Sequence, residues 1–90
     1  MATTIKQSLT AVGTTNVAAV LACDFVVSGT FAGTWKFEAL INDEWLTIER
    51  GTTSGAYLRV AFALLRQVRF SVETFTSGTF SFSLDGRDFG

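Results

Sequence analysis

The sequence predicts an all-β chain: one small antiparallel β-sandwich or jelly-roll-like domain of about seven or eight short strands. Three observations carry this. Apolar and polar residues alternate with a period of two through residues 31–40, 68–73 and 79–84. Such alternation sends successive side chains to opposite faces of a sheet. Turn residues punctuate the chain at intervals of roughly 8–12 residues. The tetrapeptide Ser-Gly-Thr-Phe occurs twice, at residues 28–31 and 77–80, each time entering a run rich in Phe, Thr and Val.

The elements follow in order. Gly13-Thr14-Thr15-Asn16 is a turn signal that divides two extended segments, residues 6–12 and 17–25. Residues 17–22 have helical propensity, but the run is short and leads directly into Asp24-Phe25-Val26-Val27, which favours a strand. Residues 31–40 form the clearest strand. Phe31, Gly33, Trp35, Phe37 and Ala39 share its core face, and Lys36 and Glu38 lie on the other. Asn42-Asp43-Glu44 makes a turn without Gly, so Asn42 is expected to take the positive φ. Residues 45–48 return, residues 49–55 are a polar loop, and residues 57–62 resume extension. Residues 63–67 read as a helical turn or as a corner between sheets. Val68, Phe70 and Val72 then alternate with Arg69, Ser71 and Glu73. Thr76-Ser77-Gly78 is expected to close a hairpin onto Phe80, Phe82 and Leu84. The two Ser-Gly-Thr-Phe copies thus suggest related hairpins, and residues 85–90 read as a polar exit.

Ninety residues make one domain, residues 1–90, with residues 1–23 as an N-terminal arm or an edge strand. At 48% hydrophobic and 17% charged, the chain is more apolar than an average soluble domain. That excess reads either as a Phe-rich core under an ordinary surface or, as favoured here, as apolar surface covered by neighbouring subunits. The net charge of −1 and the singly scattered basic residues exclude a nucleic-acid footprint. No stretch has the length of a spanning helix and no signal-peptide pattern opens the chain, so no membrane partner and synthesis in a cytoplasm are expected.

The chemistry-bearing residues are few. With no His and a single Cys, a Ser-His-Asp triad, a Cys-His pair and a His-ligated zinc are impossible. No enzymatic activity, cofactor or metal is expected. Cys23 lies among apolar neighbours and reads as a buried, inert thiol. Glu38, Asp43, Glu44 and Glu49 cluster around one hairpin as solvated carboxylates. Asp85-Gly86-Arg87-Asp88 offers only a fragment of the six to eight oxygens that calcium needs, and reads as a structural turn. Trp35 belongs to the core. Trp45, after the hairpin tip, is the candidate for a glycan-stacking surface. The residues expected to touch a partner are Ile5 and Lys6 in the N-terminal segment, Trp45, and Arg87 and Phe89 at the exit.

The run Ser28-Gly29-Thr30-Phe31-Ala32-Gly33-Thr34-Trp35-Lys36-Phe37-Glu38, followed by Trp45, resembles small β-sandwich virion structural proteins of tailed bacteriophages. Ala56-Tyr57-Leu58-Arg59-Val60, Leu65-Arg66-Gln67-Val68-Arg69-Phe70 and Thr74-Phe75-Thr76-Ser77-Gly78-Thr79 extend the resemblance over residues 26–84. It implies a capsid decoration, or cement, protein on the outer capsid surface of a virion. Its partners would be the major capsid protein and copies of itself, as a symmetric oligomer such as a trimer. The alternative it implies is a tail, collar, fibre or baseplate module that binds host surface glycans.

Overall fold

The computed structural model describes residues 2–89. It is all-β, with seven strands: β1 Thr4–Leu9, β2 Gly13–Thr14, β3 Ala18–Ser28, β4 Phe31–Ile41, β5 Glu44–Gly51, β6 Ala56–Gly78 and β7 Phe80–Arg87. All strand pairs are antiparallel, in the order β1-β7-β3-β6-β4-β5, with β2 added to β6.

The sheet doubles over into a sandwich because β6 serves both halves. Its first part pairs with β3, from Ala56 opposite Val27 to Val68 opposite Ala18. Its second part pairs with β4, from Val68 opposite Ala39 to Gly78 opposite Phe31. A first layer therefore runs β1-β7-β3-β6, and a second runs β2-β6-β4-β5. Aromatic rings from strands that share no hydrogen bonds meet between the layers. Phe25 of β3 lies 4.8 Å from Phe37 of β4 and 6.0 Å from Trp35, edge-on to the latter. Phe70 of β6 stacks on Phe82 of β7 at 4.6 Å. Each such pair adds about 0.5–1.5 kcal/mol beyond its burial. The inward sets Trp35/Phe37/Ala39, Val68/Phe70/Val72 and Phe80/Phe82/Leu84 are all buried, as the period-2 alternation predicts.

Several connections differ from the sequence expectation. Neither Ser-Gly-Thr-Phe segment closes a hairpin. β3 and β4 are not paired, nor are β6 and β7; both segments carry the chain from one layer to the other. The two corners cross at close range. Thr79 N–H donates to Thr30 O at 2.8 Å, and the rings of Phe31 and Phe80 stack at 4.0 Å. Gly29 and Gly78 have φ of 98° and 91°. A Cβ on Gly29 would strike the Thr79 carbonyl oxygen, and one on Gly78 the Thr30 carbonyl oxygen. Glycine is needed there twice over, for the left-handed backbone and for the close approach. Among the described residues the one tight hairpin is β4–β5, where both Asn42 (φ 54°) and Asp43 (φ 63°) take the positive φ of a type I′ turn.

Residues 63–67 form no helical turn and are instead the other expected possibility, the corner between sheets. They belong to the 23-residue β6, and the register slips between Val20 and Ala22, so residues 62–65 bulge against β3. A bulge bends a strand without ending it, which lets β6 change layers. The polar loop is shorter than expected, because β5 runs through Gly51. The polar exit is also shorter: Asp85-Gly86-Arg87 continues β7 opposite Asp24, Cys23 and Ala22, in place of the expected turn. β1 pairs with β7 of its own chain as an edge strand, with Ile5 opposite Leu84.

Gly78→Ala is expected to destabilise the domain by about 2–3 kcal/mol, since it adds both strain and a clash with backbone. Gly55→Ala, at φ 83° but with open space around it, carries the strain alone and costs about 1 kcal/mol. Urea unfolding of the two variants measures the difference, and equal losses would remove the corner crossing as a constraint.

Candidate functional site

With the core sealed between the layers, the chemistry of this chain lies on the two outer faces. The outer face of the second layer carries a continuous ionic chain. Period-2 alternation puts Lys36 and Glu38 of β4 outward, and the register sets Glu38 opposite Arg69 of β6 and Lys36 opposite Arg50 of β5. Arg69 Nε donates to Glu38 Oε1 at 3.0 Å. Lys36 Nζ lies 3.6 Å from Glu38 Oε2 and 3.7 Å from Glu73 Oε2. Arg50 Nη2 donates to the same Glu73 oxygen at 3.0 Å. Glu38 is buried at 5% exposure, and both of its carboxylate oxygens are engaged by these partners.

Trp45 projects onto this face and is half-buried. The guanidinium carbon of Arg69 sits 4.0 Å above its ring. Arg69 therefore covers an indole face that a sugar would need, and the Trp45 stacking surface expected from sequence is occupied from within the chain.

The outer face of the first layer differs. Register places Asp85, Asp24 and Arg59 in one row across β7, β3 and β6, and Arg87, Ala22 and Ala61 in the next outward row. A shallow groove of about 500 Å³ opens there. The small side chains of Ala22 and Ala61 and the backbone of Cys23, Val60 and Gly86 form its floor. Asp24, Asp85, Arg59 and Arg87 form its walls. Tyr57 donates its hydroxyl to Asp24 Oδ2 at 3.1 Å. Among the described residues every ion pair lies on the second layer, so these four charges have none. Beside the groove, Lys6 stands at the rim of a smaller depression with Ser8, Ser28, Ser81 and Ser83.

The residues singled out from sequence are thus dispersed. Lys6 and Arg87 share the first-layer face, and Trp45 sits on the second. Phe89 is 71% exposed beyond the end of β7. Ile5 is a correction: at 1% exposure it packs in the core and cannot touch a partner. Its burial was readable from the alternation of Ile5, Gln7 and Leu9 with Thr4, Lys6 and Ser8. Of the groove charges, Asp24 and Arg59 were missed because they are 35 positions from each other, and only strand register joins them to each other and to Asp85 and Arg87.

Cys23 is buried, and burial first and the Asp24 carboxylate second push its thiol from 9.0 up to about 11. Among the described residues no group of three or more His, Cys, Asp or Glu is placed to hold a metal ion, and no helix is long and apolar enough to cross a membrane. Compared with known proteins, the chain matches no family model, no curated protein and no solved structure.

Two outcomes follow. Glu38→Gln leaves Arg69 without its buried counter-charge and should cost about 1–3 kcal/mol. Glu73→Gln, on the more exposed carboxylate, should cost under about 1 kcal/mol, and chemical unfolding of both variants checks the contrast. For Cys23, a disulfide reagent at pH 8 should react about 100-fold more slowly with the folded chain than with the urea-unfolded chain, and equal rates would contradict the burial. The sign for stability follows from the raised pKa. The folded state keeps a proton that the unfolded state releases. This contribution is full below pH 9.0 and is lost as pH rises through about 11.

Proposed function

We propose that this chain is a non-enzymatic structural protein of a bacteriophage particle, a decoration protein seated on the outer capsid shell. The observation that carries the reading is an exposed apolar run on β6. Ala61, Ala63, Leu64 and Leu65 face solvent, with Leu64 at 62% and Leu65 at 54% exposure. A contiguous apolar run at the surface of a well-packed domain marks a contact surface. Here it sits where β6 bulges between layers, on a strand held in the core by Val68, Phe70 and Val72.

The physical logic suits cementing. A protein that bridges capsomers must hold its shape under load, so it benefits from a tightly packed aromatic core and crossed corners. It adds binding energy across a seam through surface contact alone. The resemblance over residues 26–84 supports the virion setting.

Quantitative protein analysis of purified particles tests the reading. Hundreds of copies per particle are expected of a decoration protein, in register with the shell's symmetry. A few dozen copies would move the chain to the tail or fibre, and absence from the particle would overturn the virion setting. Replacing Leu64 and Leu65 together by Ser should abolish binding to shells stripped of the protein while leaving the circular dichroism unchanged. Undiminished binding would exclude this run as the contact.

A further inference from the structure

The two outer faces hold their charges in opposite ways. On the second layer, the five charges from Arg50 to Arg69 satisfy one another. On the first layer, Asp24, Asp85, Arg59 and Arg87 stand around a groove without an ion pair. Asp24 and Asp85 are moreover direct cross-strand partners. Like charges in that position repel, and Arg59, opposite Asp24 on its other side, offsets this only for Asp24. A cation arriving from outside would relieve that repulsion, and an anion would complement the arginines.

We propose that the occupant of this face is a second copy of the chain, related by a two-fold axis. The face is self-complementary. Asp85 and Arg87 lie on the same side of β7, two residues apart, with Gly86 between them. A two-fold axis between the facing sheets, perpendicular to β7 and level with Gly86, sets Asp85 against Arg87 of the second copy. The same operation sets Arg87 against Asp85 of the second copy, as an isologous contact requires. The incoming guanidinium lands beside both Asp85 and Asp24 and neutralises the carboxylate pair. Room for it exists because the groove floor is alanine and bare backbone. The principal extents of 37 × 23 × 19 Å give each broad face an area on the order of the ~800 Å² per partner that stable interfaces bury.

This pairing stands independently of the virion setting, because it concerns only the purified chain. Sedimentation equilibrium tests it with wild type, Asp85→Arg, Arg87→Asp and an equimolar mixture of the two variants. Wild type should dimerise, more weakly at high salt because the contact is ionic. Each single variant brings like charges together across the axis, and its dissociation constant should rise at least about tenfold. The mixture should recover dimer, since both Arg–Asp contacts across the interface become complementary again in the mixed pair. Both side chains are exposed, so circular dichroism should be unchanged. A wild type that stays monomeric at about 1 mM and low salt overturns the proposal. So does a trimer, a dimer indifferent to both variants, or a mixture no more associated than its components.

Discussion

The crossing of two Ser-Gly-Thr-Phe corners is the constraint on which the rest of the sandwich depends. Each corner moves the chain between layers, and the two run over each other so closely that neither glycine can carry a side chain. Their phenylalanines stack directly beneath the crossing. From that point β3 and β7 leave as neighbours in one layer, with Ser28 opposite Ser81, while β4 and β6 leave as neighbours in the other, with Phe31 opposite Gly78. Fixing the crossing therefore fixes the register of β3 with β7 and the start of β4 with β6, whose register then shifts at two bulges, between Ala32 and Gly33 and between Thr34 and Trp35. Register in turn decides which residues face inward.

The same register distributes charge. The second layer has a chain of alternating cations and carboxylates, closed over by the Arg69–Trp45 stack. That face is electrostatically self-sufficient. The first layer has unpaired charges of both signs over a floor of small residues, an arrangement that favours contact with another molecule. The apolar run of β6 adds a second exposed surface at the bulge. The two outer faces are thus differently prepared for contact.

The core was legible in the sequence because burial on a strand obeys a local rule. Trp35, Phe37, Phe70, Phe82 and Leu84 could each be placed from alternation alone, and strand was correctly preferred to helix for residues 17–22. The corners were not legible. A Ser-Gly-Thr turn can fold a strand back beside itself or carry it across to another layer, and the choice depends on which distant strand is there to pair. The bend in β6 had a weak signal in the run Ala63-Leu64-Leu65, but a bulge and a turn look alike until the partner strand is known. The ionic chain and the groove were out of reach for the same reason. Glu38 and Arg69 are 31 positions apart, and register alone brings them together.

The pairing of β1 with β7 has a kinetic meaning. The first strand completes the layer only against the last, with Ile5 opposite Leu84 and Leu9 opposite Phe80. Until β7 has been synthesised, Ile5 has no strand to lie beside, and β3 lacks its neighbour on that side. Pairings of such long sequence separation cost loop-closure entropy before they return any contact energy, which slows folding. A nascent chain therefore exposes β1 and one edge of β3 until β7 has left the ribosome, a window in which a chaperone or a second nascent chain competes for the same hydrogen bonds.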